Sequence, residues 1–271
     1  MKNKKDIIGI IGYGRVGTSL SSAFYLLGYK TFIYSDKINK RFIPESFFLP
    51  SLPALINHAN IIFICVPDKS IEKIAARIVK SLIPLPDKIF FHTSGSKTSQ
   101  ALNSIRKASG IAASFHPLQT FPKPEHSLSP WNNIFCILEG DDSAIKKAKL
   151  LCRKLHCHPF VLPAEGKILY HASAVMASNF FVLLVHMSQQ IAGYAGISKK
   201  QFKNLFVPMM QKTLQNIIHE HNNEVLSGPL IRGDKEIIAC HLEEIKKKNT
   251  LIAQIYQLFV TYYHKEFKTT P

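Results

Sequence analysis

The chain has 271 residues, 46% of them hydrophobic and 10% aromatic, which is too apolar for a disordered chain and enough for a core in two modest domains. Lys and Arg outnumber Asp and Glu by 34 to 18, a formal charge of +16 that attracts phosphates and carboxylates; the basic residues are scattered, without the aromatic-interleaved stripe of a nucleic-acid groove, so no nucleic-acid partner is expected. Five cysteines, odd in number and mostly in apolar runs, imply reduced thiols and a cytoplasmic protein rather than a disulfide scaffold.

Residues 1–6 are basic and polar, and the apolar run 7–11 is too short for a signal-peptide core, so export is not expected. That run reads as a buried parallel strand, and a helical pattern follows over 16–27, closed by Gly28. Strands are predicted at 31–34, 61–66 and 88–92, with a helix over 69–82 between the last two. Further strands at 111–115, 134–138 and 159–162 surround a helix over 142–155. The alternation predicts an α/β fold with a doubly wound parallel sheet.

After Pro163 the periodicity is helical throughout, over 165–193, 199–219, 235–247 and 250–267. The expected organisation is therefore a dinucleotide-binding Rossmann domain at 1–163 and an all-helical substrate and dimerisation domain at 164–271. The most apolar stretch, 172–187, is broken by Ser173, Ser178, Asn179 and His186 and falls short of the ~20 residues that span a bilayer. It is expected to be a buried helix, with no membrane partner. The apolar helix at 251–263 suggests a homodimer through the helical domain. Cys152, His156, Cys157 and His158 straddle a helix end and a strand start, with no second pair at zinc-site spacing, so no metal is expected.

Gly12-Tyr13-Gly14-Arg15-Val16-Gly17 fits G-x-G-x-x-G and lies between the first strand and the first helix, where the motif has a mechanism. Gly12 allows the tight turn, Gly14 the approach of a pyrophosphate and Gly17 close helix-to-strand packing, leaving helix N-terminal amides to bind phosphate. The end of the second strand reads the ribose. Ser35 stands there instead of an acid, and Lys37, Lys40 and Arg41 follow, which favours NADPH; Asp36 next door keeps NADH as the alternative. Val66 and Pro67, at the end of the third strand, should face the nicotinamide end.

Four further segments carry a resemblance: His92-Thr93-Ser94-Gly95-Ser96, Ser114-Phe115-His116-Pro117-Leu118-Gln119, Tyr170-His171-Ala172-Ser173-Ala174-Val175 with Asn179, and the run from Leu226 to Asp234. With the Rossmann motif, they make the chain resemble the superfamily of 6-phosphogluconate dehydrogenase, β-hydroxyacid dehydrogenases and ketopantoate reductases. Within it, the chain is most similar to a bacterial Rossmann-like oxidoreductase branch whose helical domain was long of unknown function. Some members of that branch are alternative ketopantoate reductases of pantothenate biosynthesis. The resemblance implies an oxidoreductase. Relatives carry a lysine followed four residues later by an asparagine that act on the substrate oxygen; Lys167 matches the lysine, and His171 replaces the asparagine.

The same residues can be read physically. Lys167, His171 and Ser178 share a helical stripe, with Asn179 beside it, so Lys167 or His171 would deliver a proton and Asn179 orient the substrate. The alternative is a solvated lysine and a core histidine. Ser94, Gly95 and Ser96 could cradle a substrate carboxylate or simply turn the chain, and His116 could line the cleft or end a strand. Arg232 could grip a small anionic substrate or brace a helix end. The expected activity is NADPH-dependent reduction of a 2-oxo acid such as ketopantoate. Cyclic-imine reduction of the pyrroline-5-carboxylate reductase type and a non-catalytic NADPH-binding sensor remain alternatives.

Overall fold

A computed structural model describes residues 6–36, 42–219 and 225–267. The chain divides into two compact units, Met1–Ser178 and Asn179–Pro271. The helix that opens after the strands thus stays with the first unit as far as Ser178, beyond the change of texture at Pro163.

The first unit holds β1 (Ile7–Ile11), β2 (Lys30–Tyr34), β3 (Ile61–Ile64), β4 (Ile89–His92), β5 (Ile111–Pro117), β6 (Phe135–Gly140) and β7 (His158–Val161) in one sheet ordered β2-β1-β3-β4-β5-β6-β7. The central strands are Ile- and Phe-rich runs buried on both faces, as helix-covered parallel strands must be. Helices α1 (Arg15–Leu26), α2 (Leu52–His58), α3 (Asp68–Lys80), α4 (Asn103–Lys107) and α5 (Asp142–Lys154) supply the cover. Two apolar layers result, one built around Phe24, Phe63 and Phe91 and the other around Leu55, Ile74 and Phe90.

The strand pattern alone suggests a wholly parallel sheet, but one pairing is antiparallel. β6 runs antiparallel to β5, with Ser114 opposite Glu139. Between them lies an irregular segment holding only a short 3-10 turn at Ser129–Trp131, and without a crossover helix the chain returns antiparallel. On the other side β4 and β5 pair in parallel, placing His92 beside Ser114.

α6 (Lys167–Val175) passes through a π-helical turn, Met176–Phe180, into α7 (Phe181–Tyr194). The whole helical run, Ala164–Tyr194, is 31 residues with a mean hydropathy of 1.8 in its most apolar window, long and apolar enough to cross a membrane. None of that window is buried, which corrects the expectation of a buried helix: Leu169, Met176, Val182 and Leu183 lie at the surface. Periodicity marks a helix as apolar but does not say whether its own chain covers it.

The second unit is helical, with α8 (Lys199–His219) and helices at Pro229–Arg232, Lys235–Lys248 and Thr250–Tyr262. Its small buried cluster is Ile245, Ile252 and Ala253, against Met187, Ile191 and Tyr256. Leu205, Met209, Ile218, Leu251 and Leu258 remain exposed.

Candidate functional site

The carboxyl ends of the parallel strands carry two polar regions of different construction. The first is the turn from β1 into α1. Gly12 adopts φ +95°, and a Cβ there would lie 2.5 Å from the Cys65 carbonyl oxygen and 3.0 Å from Val66 Cγ1. Gly17 sits so close to the turn that a Cβ would come within 2.0 Å of the Gly12 carbonyl. Gly14 behaves oppositely: a Cβ would meet nothing within 4 Å, and no side chain caps the helix it begins. Two glycines are therefore required by close packing, while the third leaves open space over an uncapped helix N-terminus, a cradle suited to a phosphate. Arg15 is exposed beside Gly14, Val16 half-buried, and Tyr13 packs edge-on against Phe48 at 5.3 Å.

Ser35 joins this region, its Oγ accepting from the Tyr13 amide at 3.3 Å. Asp36 accepts from the Tyr34 hydroxyl at 2.9 Å, and that hydroxyl accepts from Arg77 at 3.3 Å. Tyr34, Ser35, Asp36, Glu45 and Phe48 help line a concavity of about 410 Å³. Lys37, with Lys40 and Arg41, lies outside the described residues. Val66 is half-buried beside Gly12, and Pro67 leads into α3.

The second region gathers side chains from β4, β5, β6, α3 and α6. His92, Ser114 and Glu139 form a row across β4, β5 and β6, register partners whose side chains share one face of the sheet. Lys167 from the first turn of α6 is fully buried and its ammonium donates to Ser114 Oγ. Burial pulls Lys167 down to about 8, an effect opposed by Glu139 and Asp68. His92 Nδ1 accepts from the Ser94 amide at 3.2 Å, which leaves Nε2 as the protonated nitrogen, donating to the Thr98 carbonyl at 3.0 Å. Burial, reinforced by Lys167, lowers His92 to about 4 and holds it neutral.

His116 is lowered to about 4 for the same two reasons, and its Nδ1 shares a 2.7 Å hydrogen bond with the Tyr170 hydroxyl. Its other nitrogen points at Gly95. A Cβ on Gly95 would lie 2.8 Å from His116 Nε2 and 2.6 Å from His171 Nδ1, so the missing side chain lets two imidazoles converge on the backbone. Among the described residues, His171 Nδ1 is buried without a hydrogen-bond partner. Lys167, His116, His171 and Gly95 thus come together.

Ser94 and Ser96 are also present, but both hydroxyls donate to Asp68 Oδ2 at 2.8 Å, so the anion they hold is the protein's own carboxylate. Asn179 sits in the π-helical turn as the first residue of the second unit, while Arg232 is exposed and pairs with Asp234 at 2.8 Å. Glu139 and the partner role of Tyr170 escape sequence reasoning; only strand register and the packing of α6 bring them here. Of the four Cys and His residues weighed as ligands, Cys152 and Cys157 instead lie with Cys136, their sulfurs within 4.8 Å of one another among apolar core residues.

Residues 1–117 match a Rossmann-like domain, and residues 134–262 match a domain of unknown function, DUF2520. No curated protein matches the chain. Among solved structures, a candidate NADP oxidoreductase from Bacteroides fragilis superposes with a TM-score of 0.77 at 18% identity, over 97% of this chain and 99% of the other. The protein TM1727 from Thermotoga maritima is 26% identical with a TM-score of 0.69, over 96% and 99%. Pyrroline carboxylate reductase from Plasmodium falciparum, with NADP bound, is 12% identical with a TM-score of 0.64, over 96% and 98%. These likenesses agree with the sheet topology in establishing a Rossmann-like domain followed by a helical region.

Proposed function

We propose that a chain with this fold and this edge of the sheet is an NADPH-dependent reductase of a small anionic carbonyl compound, a 2-oxo acid, with 2-dehydropantoate (ketopantoate) as the first substrate to test. The observation that carries the reading is a fully buried Lys167, bonded to Ser114 of β5 beside neutral His92 and His116. A soluble lysine has no reason to be there, since burying an ammonium is costly unless it has work or partners.

The turn at Gly12, Gly14 and Gly17 would hold the pyrophosphate, and Ser35, without an acid's repulsion, the ribose end. Bound there, the reduced nicotinamide supplies the hydride. The chain's own part is electrostatic and acidic. Lys167, an ammonium below about pH 8, bonds Ser114 with one N–H and keeps others to stabilise charge developing on the substrate oxygen and to give it a proton. His171 Nδ1 is open to a substrate hydroxyl or oxygen, and His116 is oriented for the same space by Tyr170.

A second reading, cyclic-imine reduction, is favoured by the likeness to the Plasmodium pyrroline carboxylate reductase. An imine arrives protonated and needs no acid from the protein. Absorbance assays of NADPH oxidation with 2-oxo acids and with cyclic imines separate the two. Lys167→Met should lower the first activity by about 10²- to 10⁴-fold and spare the second, and NADPH binding without oxidation by either supports the sensor reading.

We also infer a cytoplasmic homodimer through the helical unit. The run Ala164–Tyr194 belongs to the sheet unit as far as Ser178, and the 16 residues beyond, roughly 24 Å of helix, are short for a bilayer core of about 30 Å. Sedimentation equilibrium should give twice the chain mass.

A further inference from the structure

Glu139 is the only buried Asp or Glu among the described residues, and Lys167 the only buried Lys or Arg. Two ionisable groups withdrawn from water are expected to answer one another, because an unpaired buried charge is too costly to keep. Their positions bear this out: Glu139 lies directly across the β5–β6 ladder from Ser114, and Ser114 Oγ accepts the Lys167 hydrogen bond. Opposed residues on an antiparallel pair hold their Cβ atoms about 5 Å apart on the same face.

The carboxylate is also hydrogen-bonded through both oxygens. Glu139 Oε2 accepts from the Ser99 amide and Oε1 from the Ser99 hydroxyl, both at 2.6 Å. Arg106 braces that hydroxyl at 2.7 Å and the Ser99 carbonyl at 3.0 Å, and is itself tied to Asp141 at 2.9 Å. Two donors fix the carboxylate; among the described residues no cation forms a salt bridge with it, Arg106 reaching it only through Ser99, and its charge acts on Lys167 across the ladder.

Other charged or titratable groups face Lys167 as well. His92 from β4 and His116 from β5 are neutral, His171 follows one turn later on α6, and Asp68 from α3 is exposed, already bonded to two serine hydroxyls and screened by water. Only Glu139 is an acid at the same depth.

We propose that Glu139 is the counter-ion of Lys167: fixed by Ser99 and Arg106, it keeps Nζ in its ammonium form and so maintains the proton donor of the site. It is a positioning residue acting through charge, and its effect on activity rests on the reading of Lys167 as the acid given above.

Glu139→Gln tests this with little change of shape. Its amide oxygen can still accept from the Ser99 amide while its NH2 donates to the Ser99 hydroxyl, which turns from donor to acceptor, so the shape is kept and the charge is lost. Lysine side-chain 13C NMR, with Lys167 assigned by Lys167→Met, should show the Lys167 midpoint falling by about one unit or more. Glu139→Asp, which retains the charge, should stay near wild type. The alkaline limb of kcat/KM should move with the NMR midpoint; if the midpoint falls while the limb stays fixed, the counter-ion stands and Lys167 is not the acid. A Lys167 midpoint unmoved in Glu139→Gln overturns the proposal. Should that variant not fold, the wild-type Glu139 carboxyl 13C signal is decisive: it must report the Lys167 titration, and a signal indifferent to it overturns the proposal equally.

Discussion

The two polar regions on the carboxyl edge of the sheet are built by opposite means. The β1–α1 turn works by leaving side chains out, with Gly12 and Gly17 packed too tightly for a Cβ and Gly14 opening a space above the helix. The region around Lys167 works by bringing side chains in from five elements and burying most of them. One is a contiguous hexapeptide whose open backbone is suited to a phosphate. The other exists only in the folded chain, and there charge and protonation can be tuned, because desolvation and neighbours act on titratable groups that the glycine turn lacks.

That contrast can be broken first at the turn. Gly14→Glu should fold normally, since a Cβ there meets nothing, yet lose measurable NADPH binding by calorimetry because a carboxylate fills the phosphate path. A folded variant with unchanged affinity would remove the dinucleotide assignment. The second region should respond in turnover instead. Lys167→Met and His171→Gln should each lower kcat on the true substrate by about 10²- to 10⁴-fold with NADPH affinity nearly intact. If the two act as a unit, the double variant costs little more than either alone. A His171→Gln enzyme of near-normal kcat would demote that histidine to packing.

How much of this could be read beforehand follows from the same contrast. The glycine motif, the strand at Ile7–Ile11 and the βα alternation are local patterns, and the sequence carries them openly. The antiparallel β6 was not legible, because what reverses it is the lack of a helix in the preceding segment rather than any residue in the strand. Glu139 was hidden for that reason, being opposite Ser114 only once β6 is reversed. Ser94 and Ser96 look like a waiting anion cradle until Asp68, 26 and 28 residues away, is seen to occupy it. Exposure of the apolar helix was illegible too, since its pattern is the same whether its own chain or another molecule covers it.

Smaller effects sharpen the comparison. Gly95→Ala should lower kcat about tenfold by pushing apart His116 and His171, whose nitrogens lie within 2.8 Å and 2.6 Å of the new methyl, a displacement of both imidazoles without loss of fold. An unaltered kcat would show that the convergence of the imidazoles is incidental. The pH dependence of stability should come from this region as well. His92 and His116 stay neutral in the folded protein down to about 4, whereas in the unfolded chain they protonate near 6.5. The unfolded state therefore binds more protons within that window, and Tm should fall progressively as pH drops from about 6.5 towards 4. Lys167 acts with the opposite consequence for activity. Between about 8 and its ordinary 10.5 the unfolded chain holds the proton, so stability rises with pH just as folded Lys167 loses its proton.

The most direct measurement is the pH profile of NADPH oxidation with 2-dehydropantoate, wild type beside Lys167→Met. If the buried amine is the acid of a carbonyl reductase, wild-type kcat/KM is high at neutral pH and falls tenfold per unit above about 8, while the variant is uniformly slow without that limb. A Lys167→Met enzyme that turns over at the wild-type rate with the same alkaline limb would contradict the account.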